Sequence, residues 1–174
     1  LKYKYGMKVL TCTWPPHIYT DIGWKNFRNW IDVGGFDNVS FNPNGAVHRL
    51  LTKLAFQNLL HPFQPFILGQ KNLAPKIALK YDIPLIFYGE NEAEYGNPIG
   101  DNHTSLRDKS FYTYSNPSDI FISGVPLTDL FENHGLTWND IDSYIPPVLD
   151  QHKEANLEVR YLGYYLKWTP QDCY

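Results

Sequence analysis

The stretch Ile83-Pro84-Leu85-Ile86-Phe87-Tyr88-Gly89-Glu90-Asn91-Glu92-Ala93-Glu94-Tyr95-Gly96 decides how this chain is read. Its first half is a short apolar run behind a proline, the pattern of a strand covered on both faces in a parallel sheet. Its second half turns abruptly to glycine and three carboxylates. In open α/β sheets ligands bind beyond the carboxyl ends of the strands, so the change at Gly89 marks a site edge. Glu90 and Glu94 share a face whether the segment is extended or helical, because both periods bring i and i+4 together. Carboxylates clustered at a strand end suit a hard cation such as Mg²⁺, which takes oxygen ligands and bridges to phosphates. A solvated acidic turn is the other reading of the same residues.

On the amino-terminal side, residues 7–13 read as a first strand, β-branched and moderately apolar. Trp14-Pro15-Pro16-His17 follows at its carboxyl end. His17 has the chemistry of an acid or base, although a loop histidine without a visible partner is more often simply solvated. Asp21 is placed to cap a helix over residues 22–31, whose Trp24, Phe27, Trp30 and Ile31 recur at helical spacing and read as core. Gly34-Gly35 stops it. A second strand over 36–41 closes with the turn Asn42-Pro43-Asn44-Gly45. A helix over 47–60 follows, with Val47, Leu50, Leu51, Leu54, Phe56 and Leu59 mostly on one side. Residues 63–69 are ambiguous between a proline-broken helical turn and a strand. They lead to a helix over 73–81, whose amino end could hold an anion with Lys71 beside it.

Beyond the acidic stretch, residues 97–118 form a long polar segment in which Phe111, Tyr112 and Tyr114 favour a lid. A short strand at 120–122, a helix over 127–133 closed by Gly135, and a brief helix at Thr137-Trp138-Asn139-Asp140 come next. A tyrosine-rich strand over 157–168 carries Lys167 and Trp168 at its carboxyl end. Strands alternating with helices predict an α/β domain with a mainly parallel sheet flanked by helices.

At 174 residues the chain fits one domain with a real core. A net charge of −3, with scattered Lys and Arg, provides no footprint for nucleic acid or an anionic membrane. No apolar run reaches the length of a membrane span. Cys12 and Cys173 form neither a metal spacing nor a disulfide framework, so a reducing cytoplasmic compartment is the default and Cys12 reads as a buried small hydrophobe. Residues 1–6 read as the last turn of a helix closed by Gly6, and Thr169-Pro170-Gln171-Asp172 as the start of another. The expectation is a fragment of a longer protein, with an exposed sheet edge that a second copy could pair with.

Three segments together carry a resemblance: Gly69-Gln70-Lys71-Asn72-Leu73-Ala74-Pro75-Lys76-Ile77-Ala78, the stretch from Ile83 to Tyr95, and Leu162-Gly163-Tyr164-Tyr165-Leu166-Lys167-Trp168. With Tyr5-Gly6-Met7-Lys8 and His48-Arg49-Leu50-Leu51, they resemble the N-acetyl sugar amidotransferase family of bacterial surface-sugar pathways, which serve O-antigen and flagellar nonulosonic sugars. The resemblance implies a PP-loop ATP pyrophosphatase with an adenine-nucleotide α-hydrolase-like sheet, of which residues 1–174 would be part of one catalytic domain. The family's phosphate loop, Ser-Gly-Gly-Lys-Asp-Ser, should precede the helix ending at Tyr5 and is absent from this sequence. The activity is therefore expected of the parent enzyme rather than of this polypeptide alone.

The chemistry the resemblance implies uses ATP to activate an acetamido group. The amide oxygen attacks the α-phosphate, pyrophosphate leaves, and an adenylated imidate forms. Ammonia from a separate glutaminase subunit then attacks and AMP leaves, giving an acetamidino group on a nucleotide sugar. Mg²⁺ would neutralise phosphate charge. Glu90, Glu92 and Glu94 are its candidate ligands, with Glu90 and Glu94 at the reaction centre. Thr13 and Trp14 would line the adenine, Gly89 and Lys71 would lie against the nucleotide, and Asn44, Lys167 and Trp168 would face phosphate or sugar. Two alternatives stand beside this: a nucleotide-sugar-binding subunit without catalysis, and a tRNA-thiolating PP-loop enzyme. The latter normally needs a reactive cysteine pair and a basic face, and neither is visible in the sequence.

Overall fold

Two parallel strand pairs, not one continuous sheet, organise the computed structural model, which describes residues 1–89, 103–109, 112–114, 116–147 and 157–167. The chain divides into two compact units, Leu1–Leu73 with Pro117–Ile145, and Ala74–Asn116 with Pro146–Tyr174. The architecture is mixed α/β, as predicted. The single mainly parallel sheet is replaced, among the described residues, by β1–β2 and a short antiparallel hairpin in the first unit and by a second parallel pair in the other.

In the first unit one helical turn, α1 (Lys2–Tyr5), ends at Gly6, whose φ of 65° is the left-handed conformation the sequence predicts there. It is followed by β1 (Leu10–Thr13), α2 (Asp21–Asp32) and β2 (Asp37–Ser40). The strands pair in parallel, Leu10 with Asp37 through Thr13 with Ser40, so α2 is the crossover that a parallel pair requires. Asn38 fastens the pair by donating from Nδ2 to Thr11 Oγ1 at 2.8 Å and Thr13 Oγ1 at 2.9 Å, two hydroxyls on one face of β1.

The cap of α2 is Thr20 rather than Asp21: the Thr20 hydroxyl accepts from the amide of Gly23 at 3.0 Å. Gly34 and Gly35 close the helix as predicted, Gly35 with φ 61°. The aromatic stripe does not become core. α2 buries none of its residues, and Trp24 and Trp30 are about half exposed, because the sheet it crosses over has two strands among the described residues. The rings pack on one another instead, Trp30 stacking on Phe36 at 4.2 Å and Trp24 meeting Tyr19 at 5.1 Å.

α3 (Gly45–Leu59) starts behind Asn44, whose Oδ1 accepts from the amide of Ala46 at 2.9 Å. It buries Val47, Leu51, Leu54 and Ala55, positions i, i+4, i+7 and i+8, whereas Phe56 and Leu59 fall outside that stripe and are exposed. Leu60 closes it in the left-handed conformation, φ 53°.

The next helix differs most from the sequence reading. Residues 63–69 and 73–81 do not form separate pieces; α4 runs unbroken over Gln64–Lys80. Pro65 occupies its first turn, where a missing N–H costs nothing, and Pro75 is tolerated inside, so neither proline marks a boundary. Lys71 therefore lies mid-helix and does not stand beside free amides at a helix start.

The remainder of the first unit is a hairpin, β4 (Phe121–Ile122) and β5 (Val125–Pro126), followed by α5 (Leu127–Glu132) and α6 (Trp138–Ile141). Its two-residue turn, Ser123-Gly124, has φ of 61° and 74°, the pair of left-handed residues that keeps hairpin strands twisted correctly. The tip docks on the α3–α4 junction: Asn58 Nδ2 donates to the Ser123 carbonyl, and the Ser123 amide donates to Gln64 Oε1. Leu127, Leu130 and Ile141 are buried, and Thr137 and Asp140 form a reciprocal cap at the start of α6.

In the second unit β3 (Leu85–Tyr88) pairs in parallel with β6 (Glu158–Tyr161), Leu85 with Glu158 through Tyr88 with Tyr161. A short segment runs antiparallel along the other edge of β6, through Leu106 opposite Arg160. The Tyr161 amide bonds to the Ser105 carbonyl, and the Arg107 amide to that of Val159. Ala78, Ile86, Tyr112, Leu157 and Val159 form the core. Tyr112 is thus a core residue and not part of a lid; within the segment 97–118, residues 97–102, 110, 111 and 115 lie outside the described residues. In β3 Ile86 is buried, and Leu85, Phe87 and Tyr88 are half-buried. The predicted strand over 157–168 ends at Tyr161 and passes into a 3₁₀ turn, Leu162–Tyr164.

Candidate functional site

Thr13-Trp14 and Ser40-Phe41 leave the first unit's parallel pair at the same edge, the carboxyl edge at which α/β proteins take their ligands. Trp14 stacks on Phe41 with ring centroids 5.3 Å apart and planes 19° apart. The indole is buried, at 7% exposure, while Phe41 remains open at 37%. The reason Trp14 fits is Gly69. A Cβ at that position would stand 2.2 Å from Cζ2 of the indole, so the absent side chain lets the ring lie directly on the backbone of α4.

Beside the indole stand two further rings. Tyr144 meets it edge-on at 5.5 Å, His48 lies 6.5 Å away, and His48 and Tyr144 are themselves nearly parallel, 17° apart. His48 Nδ1 and the Tyr144 hydroxyl are hydrogen-bonded at 3.0 Å, and Asn72 Nδ2 fixes the Tyr144 carbonyl at 2.8 Å. His17 packs 5.1 Å from His48 and 5.1 Å from Phe66.

The electrostatics follow from this burial. The His48 imidazole is held below its usual range, first by desolvation and then by the neighbouring His17. Burial pushes the Tyr144 phenol up. Tyr144 therefore keeps its hydrogen and can donate it to His48 Nδ1, which leaves Nε2 as the protonated nitrogen of a neutral ring. Cys12, in the middle of β1, is half-buried and its thiol is pushed up to about 11, so it is an inert thiol, as the sequence predicts.

The predicted site residues fall into three groups. Thr13, Trp14 and Asn44 belong to this edge: Thr13 and Trp14 end β1, and Asn44 stands three residues past Phe41 as the cap of α3. The Thr13 hydroxyl already accepts from Asn38, and the Asn44 side chain already accepts from Ala46. A Cβ at Gly45 would meet nothing within 4 Å, so α3 is open beside its first residue, whereas Val47 in the same turn is buried. Lys71 belongs to the same unit, half-buried in α4. Gly89 and Lys167 belong to the second unit and are exposed; Lys167 lies past the 3₁₀ turn rather than on a strand. Glu90, Glu92, Glu94 and Trp168 lie outside the described residues, and among the described residues no group of three or more His, Cys, Asp or Glu could hold a metal ion.

Sequence reasoning did not find the His48–Tyr144 pair. His48 is signalled only by its position one turn after the cap Asn44, and Tyr144 lies 96 residues further along the chain, beyond any local pattern. No helix among the described residues is long and apolar enough to cross a membrane. No protein-family model matches this chain and no curated protein matches it, so the likeness to the amidotransferases rests on the segments quoted above.

Proposed function

We propose that this chain forms part of the catalytic domain of an ATP-dependent N-acetyl sugar amidotransferase, which converts the acetamido group of a nucleotide sugar to an acetamidino group with ammonia from a glutaminase subunit. The observation that carries the reading is the β1–α2–β2 crossover, whose carboxyl edge leads into the partly exposed ring of Phe41 and the start of a 15-residue helix capped by Asn44. Backbone N–H groups at a helix start favour phosphate, and an exposed aromatic ring favours a purine. These residues fit a nucleotide triphosphate. Phe41 would hold the base, and Asn44 with the first turn of α3 would meet phosphate oxygens.

ATP supplies the activation that an amide oxygen lacks as a leaving group. The chain's own contribution is positional. Trp14, clamped between Gly69 and Phe41, sets the floor against which the base lies, and His48 beside it, favoured as the neutral ring, adds no positive charge to compete for phosphate. Mg²⁺ is assigned to Glu90, Glu92 or Glu94 from the sequence pattern, and no step here is routed through it.

The test is AMP release by the parent protein with its glutaminase. Release that needs both nucleotide sugar and ammonia, and that falls in Glu90→Ala with the unfolding midpoint unchanged, is the expected outcome. Binding of nucleotide sugar without any AMP release would replace the enzyme reading with that of a binding subunit. Normal turnover in Glu90→Ala would remove Glu90 from the metal site.

A further inference from the structure

The second unit carries a side-chain triad that the reading above does not use. Arg160, on β6, directs Nη1 at two oxygens, 2.9 Å from the Tyr165 hydroxyl and 3.2 Å from Ser105 Oγ, and these two oxygens are 2.9 Å from each other. Each partner is delivered by a different element. Ser105 is brought alongside by the antiparallel bridge that joins its segment to β6, and Tyr165 by the 3₁₀ turn that follows β6. Tyr165 then rests edge-on against Phe87 of β3, 5.8 Å away and perpendicular to it, on the face of the pair opposite the core. The other side of the guanidinium is taken by Glu158, with Nε at 2.8 Å and Nη2 at 2.7 Å from one carboxylate oxygen.

Counting hydrogens shows what this arrangement does. The two hydrogens on Arg160 Nη1 occupy one acceptor position on Tyr165 and one on Ser105. The Ser105 and Tyr165 hydroxyls bring two more hydrogens, and only one can lie in the bond between them. One O–H is left over; either hydroxyl can supply the bond between them, and when Ser105 donates, the free hydrogen belongs to Tyr165, which is 52% exposed. If that hydrogen departs, the remaining serine O–H and the arginine N–H both point at the phenolate oxygen, so the ionised form receives two donors, one of them charged. The bond from Ser105 accordingly lowers the Tyr165 phenol from its ordinary value, with Arg160 adding to it and Glu158 opposing. Glu158 also balances the guanidinium charge, so the triad is no anion trap.

We propose that Tyr165, positioned by Ser105 and Arg160, is the proton-transfer group of a second site at the β3–β6 pair, acting on a neutral ligand that carries a hydroxyl, amine or amide group. In transfer to the ligand the tyrosine O–H bond breaks and a bond from hydrogen to the ligand's basic atom forms. The phenolate left behind is held by the serine and arginine hydrogens until the reverse transfer restores it. The assignment rests on this unit alone and stands whether or not the amidotransferase reading survives.

An aryl sulfonyl fluoride tests it, because a phenolate oxygen attacks its sulfur and expels fluoride. Tyr3, Tyr5 and Tyr81, at 73%, 55% and 56% exposure, are internal references at least as accessible as Tyr165. With the whole chain near neutral pH, peptide mapping should show Tyr165 labelled several-fold faster than these three. Ser105→Ala, which keeps the main-chain bonds of that segment, and Arg160→Met should each return Tyr165 to the reference rate. Tyr165→Phe, which keeps the ring against Phe87, should leave the unfolding midpoint where it is. Labelling of Tyr165 no faster than the references, or labelling indifferent to both variants, would overturn the proposal. So would a lowered midpoint in Tyr165→Phe, which would make the triad a structural clasp.

Discussion

Gly69→Ala is the substitution that most directly tests the construction of the Trp14 site. On an isolated helix it should stabilise, since alanine exceeds glycine by about 1 kcal/mol in a helix interior. Here the new methyl carbon would lie 2.2, 2.4 and 2.4 Å from three atoms of the indole, against about 3.5–4.0 Å for carbons in contact. One side must move by more than about 1 Å to reach contact distance. The indole has little room to retreat, with Phe41 stacked at 5.3 Å and Tyr144 set edge-on at 5.5 Å. Overpacking of this kind costs about 1–3 kcal/mol. Set against the propensity gain, this leaves a net loss of up to roughly 2 kcal/mol. With a urea dependence of about 1–3 kcal/mol per molar, the midpoint should fall by up to roughly 1 M. In a Trp14→Leu background the obstacle is gone and the alanine should become neutral or favourable, so the two changes are strongly coupled. An unchanged or raised midpoint in Gly69→Ala alone, or the same penalty in both backgrounds, would show that Gly69 is not what seats the indole.

Two further predictions concern the first unit. Because His48 titrates below the usual 6.5 when folded, the folded state prefers the neutral ring; its contribution is complete above the unfolded value and is lost as pH falls below it. Urea midpoints should therefore drop between roughly pH 7.5 and 5.5, less so in His48→Gln, and a pH dependence identical in the two proteins would dismiss His48 as the group responsible. In the hairpin turn, Gly124→Ala should cost more than about 1 kcal/mol from its left-handed backbone alone, and its Cβ would also stand 2.9 Å from Asn58 Cβ. Ser123→Gly should stabilise by on the order of 1 kcal/mol, since it relieves the same conformation and removes a fully buried hydroxyl that has no partner among the described residues; equal effects of the two substitutions would contradict this account.

How much of this was readable beforehand depends on whether the deciding interaction is local. Gly6, Gly35 and Gly135 close helices or turns where the sequence places them, because a left-handed residue is demanded by the few amides around it. The carboxyl end of β1 was likewise legible at Trp14, since an apolar run broken by two prolines ends a strand. A proline misled at α4: Pro65 reads as a break over residues 63–69 in a local window, yet the helix is held by what it packs against, including the indole on Gly69 and the bond from Asn72 to Tyr144. The aromatic stripe of α2 misled in the opposite direction. Periodicity reports that one face could be buried, whereas burial requires a partner surface wide enough to cover it, and two short strands do not supply one. The same reasoning explains why the strongest chemistry escaped the sequence. His48 with Tyr144, and Ser105 with Tyr165 and Arg160, are pairings across 96, 60 and 55 residues of separation, set by which strands and turns come together and invisible to any motif of fixed spacing. A histidine or serine in such a chain acquires its role from the tyrosine or arginine delivered beside it, so its function is a property of the fold and not of its immediate neighbours.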